Sequence, residues 1–63
     1  MNSLAQTRKK TGMSQEILAK KVGITRQYLS EIENGKKQPS VIIAVKIAKA
    51  LNTKVEDIFF EFV

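Results

Sequence analysis

Apolar residues recur at intervals of three and four along most of the chain, and small polar or glycine residues break the rhythm at regular points. This pattern predicts five short helices. The first runs from about Ser3 to Thr11 and stops at Gly12. The second opens at Ser14, a good N-cap, carries Ile17, Leu18 and Val22 at helical spacing, and closes at Gly23. Gly23 and Ile24 leave only a tight turn before Thr25, which caps a third helix through Asn34, with Gly35 as its stop. KKQP is a loop, because Pro39 requires an extended residue before it. Ser40 then caps a fourth helix, VIIAVKIAKALN, ending near Asn52, and a short fifth helix runs from about Lys54 to Phe59. No strand pattern interrupts the body of the chain. The expected architecture is all-α, a compact five-helix bundle in a single domain over residues 1–63.

At roughly 100° per residue, Tyr28, Leu29 and Ile32 share the inward side of the third helix. Arg26, Gln27, Ser30 and Glu31 share the outward side. On the fourth helix the same spacing puts Val41, Ala44, Val45, Ile47, Ala48 and Leu51 on a core arc. Lys46 and Lys49 mark the wet face, Ile42 falls between those lysines, and Ile43 lies at the edge of the arc. The ending FFEFV adds more apolar surface than a monomer of this size hides comfortably. A homodimer interface made by Ile42, Ile43, Phe59, Phe60, Phe62 and Val63 is therefore expected, with residues 59–63 as a dimerisation tail able to pair as a short antiparallel strand with its symmetry mate.

Charge sharpens this picture. The 63 residues carry a formal net charge of +5. Residues 1–37 hold eight Lys and Arg against three Glu, whereas residues 38–63 hold three of each sign. The excess thus lies in the N-terminal part, with Arg8, Lys9 and Lys10 on the first helix and Lys36 and Lys37 in the loop after the third. That placement favours an anionic partner, although solubility alone also rewards net charge. The chain has no cysteine and no histidine, which removes thiolate and imidazole metal sites, disulfides and histidine acid–base chemistry. Glu56 and Asp57 are neighbours, so on a helix they diverge by about 100° and do not form an acid–base pair. No catalytic residue, metal, cofactor or small-molecule ligand is expected. The polar start, MNSLAQTRKK, and a longest apolar run of five residues, VIIAV, lead to the expectation of a cytoplasmic, nucleoid-associated protein with no membrane partner.

Residues Gln15 to Asn34 place two short helices across a tight glycine turn, the pattern of a helix-turn-helix. Ala19 is small where the helices cross, and Leu18, Val22, Ile24, Leu29 and Ile32 are apolar where packing must hold their angle. SQEILAKKVGITRQYLSEIENGKKQPS resembles the core of the Xre/Cro-repressor helix-turn-helix family, and IAKALNTKVEDIF resembles its later helices. The resemblance spans about Leu4 to Phe59 and implies a lambda-repressor-like fold. It also implies a transcriptional regulator that binds double-stranded DNA as a dimer on a pseudo-palindromic operator. An antitoxin-type autorepressor and a protein-interaction module on the same fold are the alternatives.

Within that frame Arg26, Gln27, Ser30 and Glu31 have side chains suited to base edges: Arg to guanine, Gln to adenine, Glu to the cytosine amine, Ser to several. For Glu31 two other roles stay open, orienting Gln27 one turn away or repelling phosphate at wrong sites. Phosphate contacts fall to Gln15 at a helix start, to Thr25 and Asn34 at helix ends, and to Lys36, Lys37 and Arg8 on the flanks. The resemblance also pairs Glu33, on the packed side of its helix, with Arg8 as a structural couple.

Overall fold

Three hydroxyls set three helix starts. Ser14 Oγ accepts from the Ile17 amide at 3.1 Å, Thr25 Oγ1 from Tyr28 at 3.0 Å, and Ser40 Oγ from Ile43 at 3.2 Å. Each bond satisfies a donor that the first helical turn leaves without a partner. In the computed structural model, which describes residues 2–59, these caps open α2 (Gln15–Val22), α3 (Arg26–Glu33) and α4 (Val41–Ala50). They are preceded by α1 (Leu4–Lys10) and followed by α5 (Val55–Ile58). Helix α1 is capped by its own device. Asn2 Oδ1 accepts from the Leu4 amide at 3.1 Å, while the Ser3 hydroxyl donates to the Asp57 carbonyl at 2.9 Å.

The helix ends are as local as the starts. Gly23 and Gly35 sit at φ +87° and +75°, a region open to glycine at little cost. There the Ile24 amide turns back to the Ala19 carbonyl at 3.0 Å, and the Lys36 amide to Glu31 at 2.9 Å. These bonds close Schellman-type caps on α2 and α3.

Helix α2 packs on both α3 and α4, and α5 packs on α4. Leu4, Leu18, Leu29, Ile32, Ile47, Ile58 and Phe59 are fully buried between them. Burying each such side chain contributes on the order of 1.5–3 kcal/mol. The radius of gyration is 10.0 Å, close to the ~11 Å expected of a compact chain of this length. The five-helix, all-α architecture follows the sequence pattern. Among the described residues there is no sheet, only an isolated antiparallel bridge between Asn2 and Phe59. Beside it the Ser3 amide donates to Ile58 at 3.1 Å, and Asn2 Nδ2 donates to the Ile32 carbonyl at 3.0 Å. The start of the chain is thus tied both to the end of α5 and to the last turn of α3.

Two expectations are corrected. Helix α5 ends at Ile58, and Phe59 turns extended, at φ −111° and ψ 95°. That turn carries its ring into the core, where no surface is left for a partner subunit. Phe59 is therefore a core residue and not an interface residue. On α4 the covered arc is narrower and rotated from the expected one. Ala44, Ile47, Ala48 and Leu51 are buried and the half-buried Ile43 packs against them, but Val41 is 64% exposed and Val45 is also at the surface, beside Ile42, which is 69% exposed as its place between the lysines implied. Helices α2 and α5 cover α4 from one side, so its apolar stripe is too wide for its cover. Phe60, Phe62 and Val63 of the expected tail lie outside the described residues. No helix among the described residues is long and apolar enough to cross a membrane.

Candidate nucleic-acid interface

The outward side of α3 carries the side chains that the pattern assigned to it. Arg26 and Gln27 are exposed, Ser30 and Glu31 are half-buried, and Tyr28, Leu29 and Ile32 face the core. Because α3 is held by α2 on one side, its other side stands clear at the surface.

What fixes the angle of α3 is a buried polar chain. Arg8 Nε donates to Glu33 Oε2 at 2.7 Å and Nη2 to Oε1 at 3.3 Å, while Nη1 donates to the Met13 carbonyl at 2.8 Å. The side chains of this pair are only 10% and 5% exposed. A buried pair is kept when its hydrogen bonds are satisfied, and its main contribution is a defined geometry. Here every buried side-chain polar atom among the described residues has a partner. The pair expected between α1 and α3 is present. Arg8 is only 8% exposed and three of its five N–H groups donate inside the protein, and this burial corrects the expectation that Arg8 meets phosphate.

The chain of bonds continues outward. Gln15 Nε2 donates to Glu33 Oε1 at 3.0 Å, and Arg26 Nη1 donates to Gln15 Oε1 at 3.3 Å. Gln15, at the first turn of α2, thus links the buried ion pair to the first residue of α3. An amide nitrogen has two hydrogens, so one remains for an outside acceptor such as phosphate. The Thr25 hydroxyl is occupied as acceptor by its cap and keeps its own hydrogen to donate. Asn34 is exposed at the end of α3, with Nδ2 3.5 Å from Ser30 Oγ. Lys36 is exposed in the following loop, whose Pro39 is buried. Lys37 lies in the same loop, with Nζ 3.4 Å from Glu31 Oε1.

Periodicity gave no sign of the Gln15–Arg26 link or of the Lys37–Glu31 pair, since both depend on how one element folds against another. The clasp of Asn2 on Ile32 was also missed, since it joins positions 30 apart, whereas its local bond from the Leu4 amide is one that an Asn at a helix start could have suggested.

Two helices set across a glycine turn, one packed beneath and the other presenting an open polar face, define a helix-turn-helix protein. Comparison with known proteins agrees. The helix-turn-helix family model matches residues 4–58, and the chain belongs to this family. An uncharacterized HTH-type transcriptional regulator of Bacillus subtilis, YgzD, is 44% identical over 59 residues, covering 94% of this chain and 89% of its own. A second, MJ0272 of Methanocaldococcus jannaschii, is 48% identical over 58 residues, 92% of this chain and 88% of its own. Among solved structures, the restriction-modification controller protein C.AhdI of Aeromonas hydrophila superposes with a TM-score of 0.81. It is 33% identical, and the match covers 86% of this chain and 82% of that one. The family is one of transcription regulators.

Proposed function

We propose that this protein is a sequence-specific regulator of transcription that binds double-stranded DNA as a homodimer, acting as a repressor where its operator overlaps a promoter. The observation that carries this is the open face of α3, with Arg26 and Gln27 exposed and Ser30 and Glu31 beside them, braced from behind by Arg8, Glu33 and Gln15. A helix of eight residues is about 12 Å long and fits a major groove of similar width. Thr25, Gln15, Asn34 and Lys36 border the face, where phosphate contacts set the register while base contacts specify sequence. Single-domain organisation over residues 1–63 belongs to the same proposal.

The uncovered stripe of α4 supports the dimer. Val41, Ile42 and Val45 begin directly after the loop that carries Lys36 and Lys37, so a partner seated there lies beside the DNA-facing side. Two α3 helices about 34 Å apart then enter successive major grooves of an imperfect palindrome. Phe60, Phe62 and Val63 extend the same proposal beyond the described residues. Control of restriction–modification genes is a second role, favoured by the likeness to C.AhdI. An operator found next to such genes distinguishes it from general repression.

In vitro selection from random duplexes with the purified protein tests the proposal, and a preferred, roughly symmetric site is the expected result. Gln27→Ala then changes which base is preferred, at ~1–3 kcal/mol for the lost contact. Lys36→Ala instead weakens binding to every duplex and lowers the salt slope by about one unit. Equal effects of both substitutions on specific and random DNA contradict these roles. Ile42→Lys is expected to yield monomers in sedimentation that stay folded by circular dichroism, because the side chain is exposed in the protomer. A dimer that survives this change places the interface elsewhere.

A further inference from the structure

Glu31 stands out on a face meant for a polyanion. It is a carboxylate, one turn beyond Gln27, and unpaired it would repel the phosphates of every duplex. The loop after α3 answers that charge. Gly35 reverses the chain, so that the Lys36 and Lys37 amides both donate to the Glu31 carbonyl, at 2.9 and 3.3 Å. The Lys37 ammonium returns to within 3.4 Å of Glu31 Oε1. Exposed ion pairs usually contribute little, partly because two long side chains must be ordered to form them. Here the main chain has already anchored Lys37 to the residue it pairs with, and Glu31 is only 27% exposed against 59% for the lysine.

Resting on the DNA-binding assignment above, we propose that Glu31 and Lys37 form one reading unit: Lys37 neutralises the carboxylate so that Glu31 can enter the major groove and accept from a cytosine amine. A carboxylate is an acceptor only, and cytosine N4 is a donor on the groove edge. Oε1 faces the ammonium and Oε2 is left for the base. Lys37 therefore contributes to specificity as a positioning and compensating residue, in contrast to Lys36, whose contribution is uniform attraction. Repulsion of wrong sites by Glu31 follows from the same unit, since a base edge without a donor leaves the carboxylate unanswered.

A double-substitution cycle tests this. Wild type, Glu31→Gln, Lys37→Met and the double variant are titrated against three duplexes: the selected operator, that operator with the cytosine pair exchanged, and a scrambled sequence. Lys37→Met is expected to weaken operator binding about tenfold, the size of one good base contact, and to erase the preference for cytosine. In the Glu31→Gln background the same change is expected to act alike on all three duplexes. Equal effects of Lys37→Met in both backgrounds, with wild-type selectivity intact, overturn the paired unit and leave the regulator assignment standing. A cytosine preference that persists in Glu31→Gln does the same. A wild-type protein that tells no duplex from another overturns both.

Discussion

Arg8→Met is expected to lower the unfolding free energy by about 3–5 kcal/mol, the cost of leaving a buried carboxylate without its cation. A domain of this length has roughly 3–9 kcal/mol in total, so the variant melts far below the wild type or is unfolded at 37 °C. The cause is specific. Glu33 is 5% exposed on its side chain and is held by Arg8 through both oxygens. The Gln15 amide shares one of those oxygens and does not replace a full positive charge. Arg8→Met combined with Glu33→Leu is expected to recover most of the loss, since removing both charges removes the penalty. Urea titration followed by circular dichroism measures all three proteins. A single variant within about 1 kcal/mol of wild type would show the pair to be as weak as a surface bridge.

Phe59→Ala is expected to cost a similar amount, about 3–5 kcal/mol, from lost burial and the cavity left behind. The ring is fully enclosed by the core of its own protomer. Phe59→Leu is expected to cost less than about 1.5 kcal/mol and to leave the protein folded, so its sedimentation can be compared with wild type. An unchanged oligomeric state in Phe59→Leu, set beside the monomers expected from Ile42→Lys, separates core from interface. Loss of the dimer in Phe59→Leu with an unaltered melting curve would return Phe59 to the interface.

The two residues show what a sequence tells and what it hides. Ser14, Thr25 and Ser40 were legible as helix starts because a cap bond spans three residues and needs nothing from the rest of the fold. The outward set on α3 was legible because polar residues and apolar anchors alternate at the helical period there. Phe59 was not, because its burial depends on the chain leaving α5 one residue early to bridge Asn2, more than fifty positions away. The stripe on α4 was misread for a related reason. All of VIIAV is apolar, so periodicity gives no edge to the core arc, and only the positions of α2 and α5 decide that Ile43 is half-buried and Val41 is not. The phosphate role expected of Arg8 failed on burial: the side chain is turned inward to Glu33 and the Met13 carbonyl and the residue is only 8% exposed.

Arg26 and Gln27 lie on the solvent side of a brace that is complete without them. Substitutions at exposed positions like these usually change stability by no more than about 0.5 kcal/mol. Mutation can therefore alter the target of such a protein while its folding is left intact, and duplicated genes can diverge in what they control long before they diverge in shape. Glu31 differs from Gln27 in having a partner, Lys37, in the following loop, so under the proposed pairing a new preference there requires two coordinated changes.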